Sequence, residues 1–169
     1  MTETTIKYLI INTVILIFWQ LTVLLFSKNI DIGFFDPSKK IYSQKNWEHS
    51  GKFYTAVLHI NIWKDRLPQY IGKGGFSKKR LNKYNKLSYE YINKFIYETC
   101  RAEWYHTFCL FGCVLFLLIN PTLTYKLLFF FLSIIINVPF ILIQRYNRIR
   151  LNKLVKKHRN KSKNKISNL

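Results

Sequence analysis

A chain of 169 residues with 27 Lys and Arg against 8 Asp and Glu carries a formal charge of +19, yet 49% of it is hydrophobic. Soluble domains rarely combine those extremes, and a nucleic-acid binder would explain the charge but not the long apolar runs, so no nucleic-acid partner is expected. The three cysteines, Cys100, Cys109 and Cys113, are odd in number and read as small apolar packing residues rather than a disulfide framework or, with His106, a metal site.

The first apolar run, Ile6 to Phe26, is 21 residues with one charge, Lys7, at its edge. It is long enough to cross a hydrocarbon core of about 30 Å. No basic region precedes it and no small-residue cleavage site follows, so residues 1–27 are predicted to hold a retained transmembrane helix. Residues 28–99 form an interfacial segment. There Asp36-Pro37 is a helix-start signal, and Trp47, Phe53, Tyr54, Leu58, Ile60, Ile62 and Trp63 mix with Lys and His as residues at headgroup depth do. Lys64 to Pro68 reads as a turn, Ile71 to Phe76 as a Gly-rich loop, and a helix is predicted from about Tyr89.

Uninterrupted apolar sequence in the second run covers only Thr107 to Ile119, 13 residues or about 20 Å of helix. A crossing needs about 20 residues, so the helix must begin near Cys100. That draws Arg101, Glu103 and His106 toward or below the headgroups, where ionisable groups are costly and suggest function. The third run, Leu123 to Ile143, is preceded by Asn120 as a predicted N-cap and Pro121 at the first helical position. Pro139 inside it should kink the helix or free the carbonyl of Ile135. Residues 100–151 are thus a two-helix membrane core, and 152–169 a basic, solvated or headgroup-bound tail without order. The predicted fold is an all-α integral membrane protein of three transmembrane helices.

Charge orients the helices. Residues 28–103 carry fifteen basic against seven acidic groups, and 145–169 ten basic and no acidic group. By the positive-inside rule these segments face the cytoplasm of a multi-pass inner-membrane protein, with the N-terminus and the 120–126 turn outside.

Counted from the outer ends at 1.5 Å per residue, Gln20, His106 and Asn137 each lie about 20 Å deep. One polar layer is predicted to hold all three. Glu103 and His106 are three apart on one helix face, so the carboxylate could orient the imidazole. Glu98 and Arg101, also three apart, read as a structural ion pair. No nucleophile elbow, phosphate-binding P-loop or H-E-x-x-H zinc helix is present.

Four stretches carry a more specific signal: Trp47-EHSGKF-Tyr54, Ile62-WKDRL-Pro68, Glu98-TCRAEWY-His106 and Asn137-VPFILIQRYNRIR-Leu151. In this order they resemble the glycosyl-4,4'-diaponeurosporenoate acyltransferase family, from about residue 46 to 151. Ile149 departs from the proline of the family pattern. The resemblance implies transfer of a fatty acyl group to a primary sugar hydroxyl of a membrane glycolipid, with a glycosylated carotenoid as candidate acceptor. It implies an acyl-coenzyme A or other acyl thioester as co-substrate and no further cofactor. On that reading His106 is the general base oriented by Glu103, Asn137 stabilises the oxyanion, and Arg145 and Arg148 hold donor phosphates. Arg101, Gln144, Asn147, Trp63 and Lys64 are further substrate-binding candidates. A non-enzymatic scaffold gripping anionic lipid through its basic tail is the alternative.

Overall fold

The computed structural model describes residues 3–67 and 89–166. Within them the chain is helical and no strand occurs. Helix α1 runs Glu3–Asn29, a short turn α2 Ile60–Trp63, α3 Tyr89–Phe111, α4 Cys113–Ile119 and α5 Leu123–Ile166. Three segments are long and apolar enough to cross a bilayer: Glu3–Asn29, Tyr89–Ile119 and Leu123–Lys157. This is the predicted architecture, and its cause is the apolar run length, since only an internally bonded helix satisfies its backbone in lipid.

The chain divides into two compact units. One comprises the residues up to Phe34 with Arg101–Leu142, the other Phe35–Cys100 with the residues from Ile143 on. In the first unit, α1 is apolar all round, but it buries only one stripe, Asn12, Leu16, Val23 and Ser27, at helical spacing. Leu16 packs with Phe116 and Phe129, flanked by Leu9, Ile15, Leu132 and Ile136. Phe18, Leu25, Phe111, Leu118 and Ile135 stay exposed, as side chains meant for acyl chains should.

The second span is broken at Gly112, which the sequence reading did not foresee. Gly112 N donates to the Cys109 carbonyl and Leu115 N to the Gly112 carbonyl, both at 3.1 Å, a tightened three-residue turn. A Cβ at Gly112 would overlap the Trp19 indole, so glycine is what lets α1 approach here. Asn120 does not cap α5. Its amide pairs reciprocally with Asn12, Nδ2 to Oδ1 at 2.9 Å and back at 2.8 Å, and also donates to the Phe116 carbonyl. Helix α5 therefore starts at Leu123 rather than Pro121, with Lys126 N bonded to the Thr122 carbonyl. Pro139 lies inside α5, which continues past it; the Ile135 carbonyl loses only the donor that proline lacks.

In the second unit, Asp36-Pro37 opens turns instead of a helix: Asp36 Oδ1 accepts the Ser38 N–H at 2.8 Å, an Asx turn that competes with helix initiation. Phe35, Tyr54 and Ile60 are fully buried. The start of α3 packs on α5 through Ile92, Ile96 and Leu151, with Phe95 and Val155. The basic stretch from 152 on is not an unstructured tail in the described residues. It extends α5 to Ile166, since Lys, Arg and Leu are good helix formers and Val155 anchors the turn beyond Leu151. The loop predicted at Ile71–Phe76 lies outside the described residues.

Candidate functional site

In the first unit the predicted polar layer is present as two bonds made by neighbouring residues of α3. Tyr105 donates its hydroxyl to Gln20 Oε1 of α1 at 3.0 Å. His106 Nδ1 lies 3.1 Å from Asn137 Oδ1 of α5. The Asn137 amide is itself oriented, because its Nδ2 donates to the Ser133 carbonyl one turn back at 3.0 Å. Its oxygen is therefore the group facing the imidazole, and Nδ1 must carry the hydrogen. The lone pair is left on Nε2. The imidazole also stacks on Phe140, centroids 4.7 Å apart and nearly parallel, so its plane is fixed from a second side.

This changes two expected roles. The hydrogen-bond partner of His106 is Asn137, on another helix, and not Glu103; Glu103 is buried and its carbonyl accepts from Thr107 Oγ1. Asn137 is fully buried with both ends of its amide engaged, which suits positioning better than contact with an oxyanion. Tyr105 and Ser133 were missed, because in an apolar run a tyrosine or serine carries no periodic signal. Arg101 is half-buried on α3.

In the second unit the arginines of the Q-R-Y-N-R stretch serve the chain itself. Arg145 forms a bidentate pair with Glu48, Nε to Oε1 at 2.9 Å and Nη2 to Oε2 at 3.1 Å. It also donates to the carbonyls of Ser43 at 3.2 Å and Ile41 at 3.3 Å. Glu48 is wholly buried and further accepts from the Tyr54 hydroxyl and the Lys45 N–H. Burial pushes its carboxyl upward, but hydrogen bonds from Arg145, Tyr54 and Lys45 together with the Arg145 charge outweigh this and hold it below the usual carboxylate range. Arg148 is only 3% exposed. Its Nε donates to the Tyr42 carbonyl at 3.0 Å, and its guanidinium lies over the Tyr42 ring and beside Cys100 Sγ. Neither arginine is displayed for a phosphate.

Around Tyr146 the arrangement differs. Its hydroxyl donates to Asn61 Oδ1 at 3.2 Å, which also accepts from the buried Lys64 ammonium. Lys64 and Arg150 lie over the Tyr146 ring at 5.8 and 5.6 Å. Trp63 donates to the Leu58 carbonyl at 2.9 Å, and Gln144 and Asn147 are half-buried on α5. Beside this cluster His49, Ser50 and Gly51 follow one another at positive φ, and His59 does the same. In the sequence, the signal for Glu48 and Tyr54 is weak: an acid within a strongly basic segment, followed six residues on by a tyrosine.

The sequence model for glycosyl-4,4'-diaponeurosporenoate acyltransferase matches residues 38–157. The chain belongs to that family. Relatives named glycosyl-4,4'-diaponeurosporenoate acyltransferase from Staphylococcus aureus strains bovine RF122 / ET3-1 and USA300 are each 30% identical over 139 residues, 81% of this chain and 81% of the relative. The protein of that name from strain N315 is 28% identical over the same share of each chain. No solved structure matches. The matched span of this acyltransferase-family chain includes both the His106–Asn137 pair and the Glu48–Arg145 network.

Proposed function

We propose that the protein transfers a fatty acyl group from an acyl thioester to a primary hydroxyl on the sugar of a membrane glycolipid, a glycosylated carotenoid being the acceptor that the relatives' name suggests. The observation that carries the reading is the part-buried His106–Asn137 bond, because it leaves Nε2 as a base in a pair of membrane helices. The sugar hydroxyl is a weak nucleophile near neutral pH, and a positioned base contributes on the order of a hundred- to ten-thousand-fold. Nε2 takes the hydroxyl proton as the oxygen attacks the thioester carbonyl. Collapse of the tetrahedral intermediate breaks the C–S bond, and the departing thiolate takes the proton back from the imidazolium. Asn137 acts through His106, keeping the tautomer and the ring direction, the role that Glu103 was expected to fill. The cytoplasm is taken as the side of the basic segments, where a soluble thioester is available.

His106→Gln should abolish turnover while insertion persists. Asn137→Ala should lower kcat with a smaller effect on acceptor KM, and should shift the acid limb of the pH–rate profile as the imidazole loses its partner. Wild-type turnover in His106→Gln would remove the base from the reading, and a non-enzymatic scaffold would tolerate both changes.

A further inference from the structure

We propose that the phosphate-bearing end of the acyl donor binds in the second unit on the Arg150–Tyr146–Lys64 cluster, against the left-handed turn His49–Gly51. This rests on the acyl-thioester reading, but it moves the donor away from the arginines that sequence alone selected. Arg145 makes at least four hydrogen bonds, to Glu48, Ser43 and Ile41, and Arg148 is almost fully covered. Either would have to break structural bonds to take a ligand.

Arg150 is different. It is exposed and lies over the Tyr146 ring, an arrangement that fixes a guanidinium plane and leaves its N–H edge available to a planar or tetrahedral oxyanion. Lys64, 7% exposed and bonded to Asn61 Oδ1, adds a second positive charge over the same ring and acts on a ligand through that charge rather than by contact. The Asp65 carboxylate lies 3.8 Å from Lys64 and is itself exposed. One turn on, Lys153 donates to the Ser50 carbonyl at 2.7 Å, which brings a third cation to the turn. The turn lies on α5 itself: a Cβ at Gly51, where φ is +92°, would touch Ile149 and Tyr146. His49 and Ser50, at φ 43° and 56°, are in a region that non-glycine residues avoid. Both are exposed. A strained, exposed turn held over an aromatic ring that carries two cations is a place where binding a phosphate offsets local cost.

The ligand chemistry is a phosphate or pyrophosphate monoanion or dianion, which a thioester donor or an anionic lipid headgroup could each supply. Coenzyme A, titrated calorimetrically into the purified full-length protein in neutral detergent, separates binding from chemistry. Cosedimentation with phosphatidylglycerol vesicles tests the lipid source. Arg150→Gln should weaken coenzyme A binding on the order of tenfold or more and Arg150→Lys by less; Lys64→Gln, which removes a charge but no contact, should also weaken it by less than Arg150→Gln. Vesicle association should stay unchanged, and His106→Gln should bind coenzyme A as the wild type does even if turnover is lost. Loss of vesicle association with coenzyme A binding intact would overturn the donor assignment and give the cluster to lipid phosphate. If Arg150→Gln, at an exposed position, moved neither quantity, there would be no phosphate site here.

Discussion

Replacing Arg145 by Lys keeps the charge and removes the fork, and the structure sets what that costs. At least four hydrogen bonds leave this guanidinium, two to Glu48 and one each to the Ser43 and Ile41 carbonyls. A single ammonium can keep the pairing to one Glu48 oxygen but cannot span the remaining acceptors. Three bonds lost at about 1 kcal/mol each come to about 2–4 kcal/mol. Arg145→Ala should cost about 3–5 kcal/mol, because it strands a fully buried carboxylate. Thermal unfolding of the purified protein in detergent, followed by circular dichroism, reads this as roughly 2–4 °C for each kcal/mol at this chain length. The pH dependence has a fixed sign. Glu48 titrates lower in the folded chain than its ordinary 4.5, so the wild type binds fewer protons folded than unfolded near that pH. Its stabilisation is complete above that value and fades as pH falls below it, and Arg145→Lys should flatten this acid dependence. An Arg145→Lys protein within 0.5 kcal/mol of wild type, roughly the scatter of neutral surface changes, would refute the clamp and return Arg145 to the list of donor ligands.

Gly112→Ala should destabilise the first unit by about 1–3 kcal/mol through collision with the Trp19 indole, and Trp19→Leu should restore much of it; a neutral Gly112→Ala would show that the close approach is relaxed. For orientation, cysteines introduced singly at Thr122 and Lys40 in a background lacking Cys100, Cys109 and Cys113 should react oppositely with an impermeant thiol reagent in intact cells, Thr122 labelling and Lys40 not; labelling at position 40 would invert the topology.

The three spans were legible because run length is a one-dimensional property. So was the common level of Gln20, His106 and Asn137 along the helices, since rise per residue turns sequence distance into axial position. What depth could not supply was azimuth: whether His106 turns toward Glu103 on its own helix or Asn137 on another depends on packing. The role of Glu48 was hidden for another reason. Its partner is 97 positions away, and a charge pair at that separation leaves no local pattern. Asn120 was misread because its helix-cap chemistry and its pairing with Asn12 use the same side-chain atoms, and burial decided between them. The helical extension past residue 152 is obscured by its low-complexity composition, although Lys, Arg and Leu are good helix formers.

The reciprocal amide pair of Asn12 and Asn120 bears on the order in which this protein can be assembled. When α1 alone has entered the bilayer, Asn12 has its own helix as partner, through the Tyr8 carbonyl, but its oxygen has no donor in hydrocarbon. Since α1 is greasy on every side, little else distinguishes one rotation from another, and a slip of one residue turns any side chain by about 100°. The first helix takes one depth and one heading only when the later hairpin arrives, through the Asn120 amide together with the Tyr105–Gln20 bond and the Trp19–Gly112 approach. The amide pair acts as a keyed joint whose second half is made about a hundred residues of synthesis after its first.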